Sequence, residues 1–366
     1  MSRPEITRLL ALLQATVTGT SPDAELFVGI SDAEWEALYR RAAYDGVLAV
    51  AFDSVMRLPA ALHPPKKLAL TWAASVDRIE QNYGRKVAIA NELAARFGEH
   101  GIRMLIIKGL SIAQYHPVPA HREFGDLDIY LFDRQQDGDR LLVEWGASVE
   151  DLHSTKHTNF IYKGIPVENH IRLIEYCNEP AQLPRDNSRL NDLAEAGLGN
   201  AVVGHPLFPS PDFTLVFFLY HALVHFMVER LRWRYFCDWA LFLRSNKGRW
   251  SQAPYDMMFP VGSDIRKAAD AFNAIVVARL GLPAADAPHF ERNAAIENVI
   301  LEEMDSPAEI YVRPKTPWGI IAWKYRRFAG TRRKVNLIFP GTFNRSVAKS
   351  IVAHLRYPGT IFALPK

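Results

Sequence analysis

The hydrophobic period of this chain changes at Gly101, and no other feature limits the possible folds as strongly. From Lys67 to about His100 the apolar residues Ile79, Tyr83, Val87, Ile89, Leu93 and Phe97 recur at near-helical spacing, and Gly101 closes the helix. Ile102–Ile107 is then a short run dominated by Ile, Leu and Met between two glycines, the pattern of a buried strand. A brief helix over Leu110–Tyr115 and an irregular Pro-containing loop, His116–Gly125, lead into Asp126–Leu131. There polar and apolar residues alternate, as in a strand with one face in a core. Arg134–Trp145 reads as a helix, Ala147–Val149 as a strand, and His157–Tyr162 with Ile165–Ile171 as a hairpin about Lys163-Gly164. From Asp212 the pattern is helical again, apolar and aromatic over Phe213–Leu243 and running on past Asp264 to Leu280. The expected class is α+β: a small mixed sheet with helices on one side, set between helical segments.

The flanks fit that frame. Residues 31–56 read as one helix, with Ser31 as N-cap, Glu34 completing a capping box, and Pro59, Pro64 and Pro65 ending the unit. The chain therefore divides into an N-terminal helical support (1–89), a catalytic core (90–175), a helical C-terminal domain (176–309) and a basic aromatic tail (310–366). Its 366 residues, about half apolar, allow such an arrangement and exclude disorder as the starting point. Two cysteines, Cys177 and Cys237, cannot build a disulfide scaffold or a Cys-rich zinc site, so a reducing compartment is expected. Met1–Thr20 lacks a secretory pattern, and Leu215–Val228 is too short to span a bilayer and contains two histidines, which points to the cytoplasm.

Charge is unevenly spread. Residues 310–366 hold twelve Lys/Arg and no acid, leaving the rest of the chain with 31 basic and 40 acidic side chains. An acidic body thus carries a basic tail. Trp318, Ile320, Ile321, Trp323, Tyr325 and Phe328 interleave with Lys324, Arg326 and Arg327, a pattern that suits an anionic membrane surface or nucleic acid. A helix docked on the acidic body has the same pattern, and both readings stand.

The chemistry lies in the alternation. Side chains two apart in a strand share a face, so Asp126 and Asp128 project together while Leu127, Ile129 and Leu131 enter the core. Two adjacent carboxylates need a positive partner, and Mg²⁺, with Mn²⁺ as the alternative ion, is held by a few carboxylates plus substrate phosphates. By the same parity Glu168 and His170 leave one face of the later strand, which offers Glu168 as a third carboxylate. Lys108, Gly109, Leu110 and Ser111 form a strand-to-helix turn whose free N–H groups suit a triphosphate. Asp126, Asp128 and Glu168 are thus the expected catalytic and metal-holding residues, about two ions. Lys108, Gly109, Ser111 and Arg122 are the expected nucleotide contacts, although Arg122 could instead pair with Glu123, and Lys108 could simply close a strand and pair with an aspartate. On this basis Asp126→Ala or Asp128→Ala should abolish reaction and spare the fold, both being cleft groups.

In order and content these residues resemble the polymerase-β-like nucleotidyltransferase superfamily. More narrowly, Ile106-Ile107-Lys108-Gly109, Tyr115, Pro119, Arg122 and Asp126-Leu127-Asp128-Ile129 resemble the bacterial uncharacterised nucleotidyltransferase family often found with exopolysaccharide or peptide-modification genes. The likeness runs from roughly Trp35 to Leu243. It implies transfer of a nucleoside monophosphate from an NTP, by default ATP, to a hydroxyl or phosphate acceptor. Val167-Glu168-Asn169-His170 is similar to that family's acid-x-His strand, with Asn169 where a bulky apolar residue is usual. Leu110 also separates Gly109 from Ser111 where Gly and Ser are usually adjacent, and the stretch from Gly109 to Asp126 is longer than usual. His221, His225, Trp233 and Asp238 match a further family pattern, which implies an acceptor side built from His170, His221, His225 and Asp238. Read without the resemblance, His221 and His225 belong to a buried helix. Two rival functions keep part of this frame: an RNA- or tRNA-modifying, toxin-like nucleotidyltransferase gripping RNA through the tail, and a catalytically degenerate scaffold or membrane-surface adaptor.

Overall fold

The computed structural model describes residues 4–151, 157–174, 183–198, 202–228, 230–306, 314, 316–341 and 343–344. Three helices come first: α1 (Pro4–Thr18), α2 (Asp32–Asp45) and α3 (Leu48–Val55). The capping box at Ser31 and Glu34 forms as expected. The single helix expected over 31–56 is two, because Gly46 adopts the left-handed conformation (φ 67°) and its N–H closes α2 on Ala42 and Ala43 carbonyls. Helix α4 (Lys66–Glu99) then runs 34 residues to the period change at Gly101.

The sheet strands are β1 (Leu105–Ile106), β2 (Leu127–Tyr130), β3 (Ser148–Asp151), β4 (His157–Tyr162) and β5 (Ile165–His170), with the short helices α5 (Leu110–Ala113) and α6 (Gln135–Glu144) between them. The spatial order is β1-β2-β5-β4-β3. Only β2 and β5 run parallel, so the sheet is mixed. The β4–β5 hairpin turns on Lys163 (φ 49°) and Gly164 (φ 78°), the two left-handed residues of a tight turn that matches strand twist. Leu127, Ile129 and Leu131 join Phe160, Tyr162 and Val167 in one core with α4 residues Ile89, Leu93 and Phe97 and with Leu142 of α6. The alternating pattern is thereby satisfied, and the polar face of β2 is left for other work.

Seven helices follow: α7 (Leu183–Ala196), α8 (Pro211–Val228), α9 (Trp233–Ser245), α10 (Gln252–Met258), α11 (Asp264–Leu280), α12 (Ala294–Asp305) and α13 (Pro317–Ile338). They share a second, larger core with α1–α3, since Leu9, Leu13, Trp35 and Val50 belong to one cluster with Phe213, Trp239, Phe272 and Ile300. Helix α1 packs against α2, α3, α9 and α11, so the N-terminal helices brace the C-terminal ones. The fold is α+β. Among the described residues no helix is long and apolar enough to cross a membrane. Cys237 is a buried thiol whose pKa burial pushes up, and Cys177 lies outside the described residues.

Candidate active site

Strand register builds the site. In the parallel β2–β5 pair Asp128 stands opposite Glu168 and Tyr130 opposite His170. Ligand oxygens of Asp126, Asp128 and Glu168 all lie within 4.8 Å of one another. Strand β3, carrying Glu150, is at the far edge of the sheet beyond β5 and β4. Asp126, just ahead of β2, is half-buried, whereas Asp128 is fully buried. The expectation that both aspartates are exposed is therefore corrected for Asp128, which borders the cleft with no exposure. The parity rule places a side chain on a face and carries no information on how deep that face lies.

Electrostatics hold this cluster together. Lys108 Nζ sits 2.8 Å from Asp128 Oδ1 and 3.9 Å from Glu168 Oε2. Burial opposes the charge on Lys108, but Asp128, Asp126 and Glu168 together raise its pKa above the ordinary value. Burial likewise works against ionised Asp128, and Lys108 and His170 more than offset it, so the carboxyl stays below its usual range. For Glu168 burial is overcome by His170 and Lys108, which bring it down to about 2. Lys108, expected as a phosphate contact, is placed as counter-ion to the carboxylates. Asp128 Oδ2 is buried and accepts no hydrogen bond among the described residues. An oxygen lone pair stranded beside two further carboxylates fits a divalent cation.

The turn above the cluster depends on Gly109. Its φ of 68° and ψ of −103° suit only glycine, and a Cβ there would come within 2.9 Å of the Phe124 ring. Ser111 lies inside α5, 1 % exposed, with no hydrogen-bond partner for Oγ among the described residues. It does not line the cleft.

That cleft encloses about 220 Å³ between the sheet and helices α8 and α9. Lys108, Gly109, Arg122, Asp126 and Asp128 line one side, and His221, His225 and Tyr235 the other. The imidazoles of His221 and His225 lie 3.2 Å apart at Nε2, side by side on α8. The structure thus brings them to the cleft opposite the carboxylates. Asp238 is behind the wall: it is 1 % exposed and receives Arg122 Nη2 at 2.8 Å and His116 Nε2 at 2.8 Å. Burial raises its pKa, but Arg122 and His116 bring it down to about 2. Arg122 therefore pairs with Asp238 and donates to the Gly109 carbonyl at 3.2 Å. Glu123, the alternative partner, instead accepts the Leu48 N–H at the start of α3.

Three further groups at the site had little or no signal in the sequence. Lys86 of α4 reaches the Phe124 carbonyl and lies 4.2 Å over its ring, with burial lowering its pKa. A lysine inside the apolar stripe of α4 is a visible clue. Arg234, which donates to the Glu123 carbonyl, and Tyr235 line the cleft because of where α9 docks, and nothing in their spacing foretells it. Asn169, unusual at its place, points to the opposite face, donating to Asp139 Oδ1 at 2.7 Å and the Gln135 carbonyl at 3.0 Å. It fastens α6 to β5 and leaves the parity of Glu168 and His170 intact.

No curated protein and no solved structure matches this chain. The sequence signature of the family described as "Uncharacterised nucleotidyltransferase" matches residues 31–253, which contain the sheet, the carboxylates and the cleft-lining segments of α8 and α9. By that match, with which the acidic cluster is compatible, the chain belongs to the uncharacterised nucleotidyltransferase family.

Proposed function

We propose that the cleft transfers a nucleoside monophosphate from an NTP, with ATP as donor, to a hydroxyl or phosphate acceptor in a Mg²⁺-dependent reaction. The observation that carries this reading is the convergence of Asp126, Asp128 and Glu168 ligand oxygens within 4.8 Å beside a cleft walled by Lys108 and Arg122. The acceptor oxygen forms a bond to the α-phosphorus, the bond from that phosphorus to the α–β bridging oxygen breaks, and pyrophosphate leaves with the electron pair. Bound Mg²⁺ supplies neutralisation of phosphate charge and a lower pKa for the acceptor hydroxyl. Asp126 and Asp128 hold the cation side of the site, and Glu168 serves the acceptor side. Arg122 and Arg234 bring positive charge to the wall where phosphate charge grows in the transition state. Gly109 lets the backbone approach a phosphate closely, while His221, His225 and Tyr235 face the acceptor. Exopolysaccharide or peptide-modification metabolism, in the cytoplasm, is the setting that the family resemblance carries.

The test is a thermal-shift panel of NTPs with and without Mg²⁺. A donor at a hundredfold over its Kd adds about 2.7 kcal/mol of stability, so one nucleotide should raise the unfolding temperature only when metal is present. Asp126→Ala should erase that shift while keeping the far-UV spectrum. If no NTP shifts the parent chain, transfer is excluded and the scaffold reading takes its place.

For the tail, an anionic membrane surface is the proposed partner. The end of α13 docks on α8 and α11, with Val335, Ile338 and Phe339 buried and Lys334 2.8 Å from Glu303. Its first turns leave Trp318, Ile321, Tyr325 and Phe328 exposed at spacings of three, four and three residues. A continuous apolar stripe on a helix rich in Lys and Arg and free of acids favours an anionic phospholipid surface, with peripheral attachment.

A further inference from the structure

A second set of ligand atoms adjoins the three carboxylates. His157 on β4 and Glu168 and His170 on β5 present donor atoms that all lie within 4.8 Å of one another. His157 Nδ1 and His170 Nε2 are each 3.5 Å from Glu168 Oε2, and His170 Nε2 is 3.0 Å from Asp128 Oδ1. Register explains the convergence. In the antiparallel β4–β5 pair His157 stands opposite His170, so their rings share a face with centroids 5.2 Å apart, and Glu168 shares that face two residues back.

The orientation of His170 makes the arrangement informative. Its Nδ1 lies 3.3 Å from the Arg172 carbonyl oxygen, and a backbone carbonyl that orients an imidazole in this way is the usual outer support of a metal-binding histidine. Its Nε2 faces Asp128 Oδ1 and Glu168 Oε2, so the same ring nitrogen that hydrogen-bonds to these carboxylates can, once deprotonated, share a cation with them. Lys108 already supplies a positive charge to Asp128 Oδ1, yet the fully buried Asp128 Oδ2 beside it has no hydrogen bond among the described residues.

Two imidazoles with a carboxylate form a nitrogen-rich set. Mg²⁺ prefers oxygen ligands, whereas Zn²⁺, and Co²⁺ as its spectroscopic substitute, accept imidazole readily. We propose that His157, Glu168 and His170 form a seat for a divalent transition-metal ion, next to the Asp126–Asp128 pair and sharing Glu168 with it. The inference deepens the nucleotidyltransferase reading by giving that site a metal preference.

The full-length chain, stripped with chelator, would be titrated with Co²⁺ in the absence of nucleotide, reading the visible ligand-field bands, with Zn²⁺, Mn²⁺ and Mg²⁺ as competitors. Bands that Zn²⁺ displaces far more readily than Mg²⁺, and that weaken with a roughly tenfold or greater loss of affinity in His157→Gln, are the expected result. The far-UV spectrum and the metal-free unfolding temperature of His157→Gln should equal those of the parent, which shows that the variant folds. Unchanged Co²⁺ affinity in His157→Gln, equal competition by Mg²⁺ and Zn²⁺, or loss of the bands in His221→Gln instead would overturn the proposal. Because Co²⁺ binding is read without nucleotide, failure of the nucleotide panel would remove the transfer reaction and leave this outcome separately decided.

Discussion

Asp126 and Asp128 differ in depth, and so should their variants. Half-buried Asp126 makes little packing contribution to lose, so Asp126→Ala should abolish turnover at nearly unchanged stability. Asp128 lies under Lys108 and His170 with no exposure, and truncating it leaves both without their shared oxygen. Asp128→Ala should therefore cost about 1–3 kcal/mol in urea unfolding as well as all activity, with Asp128→Asn losing activity at a smaller stability cost. Equal stability of the two alanine variants would show that the buried charge cluster contributes nothing to the fold. His121, one residue before Arg122, offers a pH test. Its Nδ1 is 2.7 Å from Asp53 and its Nε2 2.8 Å from Glu80. The bond to Asp53 raises its pKa, burial lowers it, and the bond to Glu80 adds to the rise, leaving it above the ordinary value. A raised folded-state pKa gives stability that is fully present below the unfolded value near 6.5 and is lost as pH climbs through the folded value. The gap in unfolding temperature between the parent and His121→Gln should thus be wider at pH 5.5 than at pH 9. A gap that stays constant would remove the ion-pair reading of this clamp.

At the scale of elements, the short turn from β1 into α5 sets the height of the site floor. Gly109→Ala combines a backbone conformation closed to L-residues with a collision against Phe124, and costs of about 1–3 kcal/mol are typical of such strain. The variant should melt lower and lose its nucleotide-induced shift, since Phe124 and the Arg122 contact to the Gly109 carbonyl must move. Retention of both properties would mean that the turn is not a phosphate floor. The elements themselves were largely legible: the helix over 67–100, the 163–164 hairpin and the Asp126–Leu131 alternation each rest on a local period or turn signature. The break at Gly46 was not, because a single glycine inside an apolar helical stripe can be tolerated or can end the helix. What ended it was packing: α3 turns so that the Leu48 carbonyl meets Trp72 Nε1 at 2.9 Å and its N–H meets Glu123.

Across the whole molecule, Arg122–Asp238 ties the loop before β2 to α9, and α13 closes over α8 and α11. Helix α13 docks by its C-terminal end and leaves its aromatic stripe outward. In co-sedimentation the chain should bind vesicles containing phosphatidylserine and ignore neutral ones. Trp318→Ala combined with Tyr325→Ala should weaken that binding by about two orders of magnitude or more, given roughly 1.5–3 kcal/mol per buried large apolar side chain and about 1.4 kcal/mol per tenfold. Salt-sensitive binding to RNA with none to anionic vesicles would redirect the tail to nucleic acid.

The sequence by itself determined the period change, the strand that carries Asp126 and Asp128, the parity that puts Glu168 and His170 on one face, and the family, because each is written in neighbouring residues. Only the tertiary structure decided that β2 and β5 lie parallel with Asp128 opposite Glu168, that Lys108 sits among the carboxylates, that Arg122 is held by a residue 116 positions away, and that His157 meets His170. Those pairings come from how distant segments dock, and a linear period carries no term for the distance between them.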